Sequence, residues 1–306
     1  MNTPSTPARP WLAPALLLLL GAVWGSSFIL MKRALFASTG EALMAPLDLA
    51  TLRMAFAGTA LAPVAWAALK RVRGPQRKWV FASGVIGSLI PAVLFAVAQT
   101  QLPSALAGML NALAPLWTLV FSVFVFRNRA QPRQVVGLLV GFAGALWMVS
   151  RGETLAVGES AWWPGLLIVA ATMCYGMNVN ITREKLAGPT GLQLASLSLG
   201  FIAVPSWGYV VASGTFGRVL AQDEGVAAIG AVAVLAVVGT AVALALFNQV
   251  IALTSSLFAA SVTYIIPVFA AVWGFLDGEA LTWGHAAAGA VILSGVAIIN
   301  AGRRKA

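Results

Sequence analysis

Acidic residues are scarce in this chain, with nine Asp and Glu among 306 residues, beside one histidine and one cysteine. Each shortage excludes something. A lone Cys174 rules out an intrachain disulfide. His285 has no carboxylate or thiol near it in sequence and reads as an interfacial residue rather than a base or ligand. No P-loop, dinucleotide or metal-ligand motif stands out, so no catalytic residue, metal or cofactor is assigned. A membrane-embedded enzyme would want His, Cys, Asp or Glu clustered at one face, and these counts argue against it.

Apolar residues are what the chain has: 60% are hydrophobic and 9% charged, more apolar surface than one soluble core can use. Ten windows are long and greasy enough to span a bilayer, at 12–31, 49–69, 79–98, 105–126, 134–150, 162–181, 192–213, 229–250, 256–276 and 284–301. They are too continuous for the alternating strands of an outer-membrane barrel, so the expected fold is an all-helical integral membrane protein. Arg9 followed by WLAPALLLLLGAVWGSS has the look of a secretory signal, yet the repeat below requires it as a retained first helix. None of the windows has Asp or Glu at its middle, so there is no intramembrane carboxylate to carry a proton or a cationic drug.

The charges are segregated. Fourteen of the 19 Lys and Arg fall on the even segments, including Arg71, Arg77, Arg127, Arg183 and the tail Arg303, Arg304 and Lys305. Eight of the nine acids, among them Glu41, Asp48, Asp223, Glu224, Asp277 and Glu279, fall on the odd side. Basic residues in short loops stay cytoplasmic, which predicts both termini inside the cell in an inner-membrane, multi-pass protein. The net charge of +10 is spread thinly over these loops, so nucleic acid is not an expected partner; the bilayer and a small-molecule substrate are. Arg53, the one cation set inside a window, is expected to snorkel toward the outer interface and Asp48.

The two halves match each other. At an offset of 152, Gly87-Ser88 meets Gly239-Thr240, Phe95 meets Phe247, Pro115 meets Pro267 and Gly137 meets Gly289; at 151, Trp24-Gly25 meets Tyr175-Gly176 and Ser27 meets Asn178. Five helices per half is an odd number, so the repeats should be inverted. The expected divisions are a tail at 1–10, a first repeat at 11–152, a second at 161–301 and a basic tail at 302–306. In this scheme TYIIPVFAAVWGFLDGE, Thr263 to Glu279, is the partner of NALAPLWTLVFSVFVFR, Asn111 to Arg127.

With GAVWGSSF, the TLR of the second window, NALAP, and SSLFAASVTYIIPVFAAVWGFLDGEALT, the chain resembles the EamA-type branch of the drug/metabolite transporter superfamily over nearly its whole length. The resemblance implies two inverted five-helix repeats and transport, and leaves the substrate open. The family often carries a glutamate after the fourth helix as well as the ninth; here that position is Arg127.

Proline removes the hydrogen bond to the carbonyl four residues back, so Pro115 and Pro267 free the carbonyls of Asn111 and Thr263. In a bilayer such groups must face protein or a wet cavity. Trp24 with Ser27, and Tyr175 with Asn178, are three apart and share a helix face. Together with Ser88, Asn111, Thr240, Thr263 and Tyr264 they form the expected substrate site, a midplane cavity for a small amphipathic solute. Asn180, Asn248 and Gln249 are weaker members. Ordinary small-residue and Ser/Asn helix packing is the competing account of these polar positions. The pairs Gly21/Gly25, Gly137/Gly141 and Gly274/Gly278 have close-packing spacing, assigned to contacts within the protomer, with a homodimer interface as the alternative.

The expected activity is alternating-access export of small neutral or zwitterionic metabolites such as amino acids. The alternative is efflux of hydrophobic or lipid-like compounds.

Overall fold

A computed structural model describes residues 11–72, 74–150, 162–186, 188–254, 258–259 and 261–300. The two tails and the link at 151–161, with Arg9, Arg73, Arg151, Glu153, Glu159 and the terminal basic trio, lie outside the described residues. The fold is all-helical. Its principal helices are α1 (Leu12–Leu35), α2 (Pro46–Ala60, continued by Ala62–Arg71), α3 (Gly74–Ala98), α4 (Ser104–Phe124) and α5 (Pro132–Ser150). They are followed by α6 (Trp163–Lys185), α7 (Gly191–Ala212), α8 (Gly225–Ile251), α9 (Val262–Leu276) and α10 (Trp283–Asn300).

Seven of these, α1 and α3 to α8, are long and apolar enough to cross a membrane. An eighth span arises if the two pieces of α2, bent by 63° at Leu61, count as one, while α9 and α10 are shorter apolar helices. The bend has a local cause: Pro63 sits in the first turn of the second piece, where its missing N–H costs nothing but straight continuation of the first piece is blocked. Much of the apolar surface faces outward, including Leu139, Leu146, Phe124, Val204, Val211 and Phe275, as expected of a body solvated by lipid. Trp11, Trp66, Trp162 and Trp283 stand exposed at segment ends, where indoles favour the bilayer interface.

Inside the bundle α1 packs on α9 and α8, α6 on α4 and α3, α2 on α7, and α5 on α10. The small residues sit at these crossings. A Cβ added at Gly25 would lie 2.5 Å from Phe269 Cβ, and one at Gly176 would lie 2.6 Å from the Thr118 amide nitrogen. Gly21 meets Ile265 in the same way, while Gly137 and Gly141 approach Gly295 and Leu116. These glycines therefore serve packing within the protomer. The pair Gly274/Gly278 is different: Gly274 is pressed against Ala105 and Glu279, but Gly278 has open space around it and a φ of +79°. Gly278 ends α9 in a Schellman turn, with Glu279 N–H donating to Gly274 O at 2.9 Å and Gly278 N–H to Phe275 O at 3.1 Å. The left-handed residue turns Glu279 back toward the bundle. After α4, Arg127 adopts the same left-handed sign, at φ 57°, without being glycine.

One end of the molecule is heavily cross-linked by polar contacts. Lys32 Nζ binds Asp277 Oδ2 at 2.5 Å and Glu279 Oε1 at 3.0 Å, and Arg33 pairs with Asp277. Glu279 also accepts from the first amides of α4, Ser104 N–H at 2.9 Å and Ala105 N–H at 3.0 Å, so it caps a helix remote in sequence. Asp48, buried at the head of α2, accepts from Arg218 at 3.0 and 3.1 Å, from Thr215 at 3.0 Å and from Tyr209. Gln99 donates to Phe28 O and Gln222 to Leu43 O. At the opposite, basic end the polar contacts among the described residues are local or loose, such as Arg183 with its neighbour Glu184 and Lys185 over the Trp79 ring.

Three residues do more than was expected of them. His285, at the head of α10 beside the exposed Trp283, is packed into protein at 1% exposure, and its Nδ1 accepts from Thr282 N–H at the start of the helix. Asp277 and Glu279 do more than mark a membrane face, because they tie α1, α4 and α9 together.

At the same end, Glu224 accepts from Ser38 N–H at 3.0 and 3.1 Å and from the Ser38 hydroxyl. These bonds, with Arg33 adding attraction, hold its carboxyl below the ordinary carboxylate range. A depressed pKa means the clasp is present above the unfolded pKa and is lost as pH falls through the lowered one. The protection factor of the Ser38 amide in hydrogen exchange should therefore drop under acid conditions in the native protein. In Glu224→Gln the drop should be absent.

Candidate functional site

Helix periodicity brings several distant stretches to one hollow in the middle of the bundle. The cavity measures about 470 Å³ and is lined from α1, α2, α3, α4, α6, α7, α8 and α9. Trp24, Ser27, Ser88, Asn111, Tyr175, Asn178, Thr240 and Thr263 all line it. Tyr264 does not; it lies one residue, about 100°, around α9 from Thr263 and packs into the apolar core.

The helices are irregular where they meet the cavity. Segment Val85–Leu89 of α3 and segment Val237–Val242 of α8 are π-helical, and Gly87-Ser88 and Gly239-Thr240 fall within them. A π turn widens the helix and interrupts the usual carbonyl pairing, a feature frequent at functional sites. Here Trp24 Nε1–H donates to Gly239 O at 3.1 Å. Pro91, just past the first π segment, lacks the N–H that would otherwise reach the Gly87 carbonyl. In α4, Asn111–Leu113 tightens to a 3-10 turn ahead of Pro115, and the Asn111 carbonyl that the proline was expected to free accepts instead from Ala114 N–H.

Side chains repeat across the cavity. Trp24 lies against Phe247 with ring centroids 5.5 Å apart, and Tyr175 stacks on Phe95 at 6.2 Å. The Asn178 amide covers Gly87, where a Cβ would lie 2.1 Å from its Nδ2, and Ser27 Oγ stands 3.4 Å from the corresponding position on Gly239. Asn178 Oδ1 and Ser198 Oγ are buried and have no hydrogen-bond partner among the described residues. By contrast Asn180 acts as packing glue, donating to Thr118 O and Gly176 O, both at 2.9 Å. Asn248 donates to Leu244 O within its own helix, and Gln249 is exposed on the outside.

Arg53 is the main residue that sequence reasoning misplaced. It faces the cavity rather than Asp48, whose partner is Arg218. Five residues place Arg53 roughly 140° around α2 from Asp48, so the two side chains leave on different faces. Phe28, Met31, Phe95, Ser83 and Ser198 also line the hollow and were not anticipated; the aromatic ones carry no polar signal to mark them. Along α1 the cavity positions run Trp24, Ser27, Phe28 and Met31, and the next residue, Lys32, enters the ion pairs. The cross-linked end thus forms a roof over the cavity.

A chamber of this size, with one cation among its described lining residues, scattered amides and hydroxyls and several aromatic rings, can hold a small amphipathic molecule.

Comparison with known proteins bears on this arrangement. The sequence profile of the EamA-like transporter family matches residues 11–150 and 162–301. The uncharacterized inner membrane transporter YedA of Escherichia coli K12 is 26% identical over 286 residues, 92% of this chain and 88% of its own length. A probable terminal-alkyne amino-acid exporter of Streptantibioticus cattleyicolor is 25% identical over 185 residues, 58% of this chain and 60% of its own. A crystal structure of a protein 21% identical superimposes with a TM-score of 0.58, covering 94% of each chain, and shows likeness of fold.

Proposed function

This chain belongs to the EamA-like transporter family over both halves of its length, and on that premise we propose that it is an inner-membrane, alternating-access exporter of small neutral or zwitterionic metabolites such as amino acids. The observation that carries the reading is the central cavity, built from matching positions of the two halves and roofed by ion pairs at one end only. Ten crossings in two inverted five-helix repeats account for its form. Exchanging the halves turns the α1–α9 contact into α6–α4, the α1–α8 contact into α6–α3, and one π segment into the other. Such repeats place a substrate site at their interface and alternate its access by rocking.

The positive-inside rule puts the roofed, acid-rich end outside the cell and both termini in the cytoplasm. On that orientation the cavity of this state would be loaded from the cytoplasm, as export requires. The Streptantibioticus relative, named as an amino-acid exporter, favours that substrate class.

Inverted membrane vesicles containing the protein should accumulate labelled amino acids above vesicles lacking it. Equal uptake across a broad panel would sink the amino-acid reading. A second reading, efflux of hydrophobic compounds, draws on the aromatic lining of Trp24, Phe28, Phe95 and Tyr175. Resistance profiling of overexpressing cells separates the two.

A further inference from the structure

We propose that Arg53 is the carboxylate anchor of the central cavity, so that the cargo must carry a free carboxylate and need not carry an ammonium group. The inference rests on the reading that this cavity is the transport site.

The other described cations near the cross-linked end are all paired. Lys32 has Asp277 and Glu279, Arg33 has Asp277, and Arg218 has Asp48. Arg53 has no ion-pair or hydrogen-bond partner among the described residues, and its Nε is buried without one. It sits seven residues into α2 from Pro46, about 10 Å along the axis, and its side chain turns into the cavity. Nor does the cavity supply a counter-charge, because no Asp or Glu lines it; the titratable side chain nearest in effect is Tyr175. An unpaired cation held in a low-dielectric body is costly unless something anionic or water answers it, and such residues mark binding paths in membrane proteins.

The geometry of a guanidinium matches a carboxylate, which it binds through two parallel N–H donors. The rest of the lining shows what lies opposite. Asn178 Oδ1 and Ser198 Oγ are buried with no partner, so they can accept from an ammonium or a hydroxyl of the cargo, but neither is charged. The site is therefore asymmetric: a full charge for the acid end and only dipoles for the rest. Selection falls on the carboxylate.

The test uses purified full-length protein and four probes that share the leucine isobutyl group: L-leucine, 4-methylpentanoate, which lacks the amine, L-leucinamide, which lacks the charged carboxylate, and 3-methylbutylamine, which lacks the carboxyl group altogether. Isothermal titration should show binding of the first two and none of the last two. Arg53→Gln should weaken binding of L-leucine and 4-methylpentanoate by about 10- to 100-fold, and Arg53→Lys should restore part of it. Asn178→Asp, isosteric and remote from α2 in sequence, sets an anion in the same cavity while leaving Arg53 intact, and should weaken 4-methylpentanoate more than L-leucine, whose ammonium offsets the added charge. It decides the matter if Arg53→Gln does not fold.

Binding of the amide or amine as tight as that of leucine would overturn the anchor, as would unchanged leucine binding in Arg53→Gln. So would wild-type protein that binds neither carboxylate. If wild type moves no amino acid in vesicles but binds 4-methylpentanoate in an Arg53-dependent way, the amino-acid reading falls and the anchor stands.

Discussion

Replacing Glu279 by alanine should destabilise the folded protein by about 3–5 kcal/mol, the usual effect of removing one partner from a buried charged network. The Glu279 side chain is 1% exposed and engages three donors from two other helices: Lys32 Nζ, Ser104 N–H and Ala105 N–H. Its loss leaves two amides at the head of α4 buried with nothing to accept from them, and leaves Lys32 with Asp277 alone. Glu279→Gln keeps an acceptor and should cost less, because the charge is lost but one amide can still be answered. Thermal unfolding in detergent measures the order: alanine lowest, glutamine intermediate, and Glu184→Ala, whose exposed pair with Arg183 spans 3.7 Å, close to wild type. An alanine variant melting with the wild type would refute the roof as described.

Gly176→Val, and its counterpart Gly25→Val, should each cost about 3 kcal/mol or prevent folding, at the upper end of overpacking effects. Flexible side chains can yield to an added methyl, but backbone cannot. At Gly176 the colliding atoms are the Thr118 amide nitrogen and the Trp117 carbonyl carbon, both at 2.6 Å; at Gly25 the Ile266 carbonyl oxygen stands at 3.0 Å behind Phe269 Cβ. A control lies one helix away, since Gly208 has nothing within 4 Å of its added Cβ. Gly208→Val should express and melt like wild type. If all three behave alike, the α1–α9 and α6–α4 crossings are not as close as drawn.

Composition made the membrane class legible, and the spacing of matched residues made the cavity legible, because positions that match between the halves, such as Gly87-Ser88 and Gly239-Thr240, line one hollow. Eight of the nine expected site residues line it. Tyr264 misled because adjacency in sequence is a turn of about 100° on a helix. Arg53 misled for the same reason at five residues. The ion pairs were illegible on other grounds: Lys32 and Glu279 are 247 residues apart, and a pairing of that range follows from which helices pack, not from any local pattern. Nothing in DGE separately announces that Gly278 aims a carboxylate at another helix. The Gly274/Gly278 spacing looked like a packing pair, and a four-residue interval fits a cap as readily as a crossing.

The wide turns in α3 and α8 bear on how this chain tolerates changes of length. A π segment holds one residue more than the α turn it replaces and spreads it over a wider turn, so the helix beyond keeps nearly the facing it would have without it. Excising a single residue there would let the helix close into regular α geometry with Phe95 still toward Tyr175 in α3 and Phe247 still toward Trp24 in α8. What would be lost is the widened turn itself, where Gly239 O accepts from Trp24 Nε1–H. In a regular stretch of the same helices a one-codon deletion would instead swing everything beyond it by about 100° and misalign half the chamber wall.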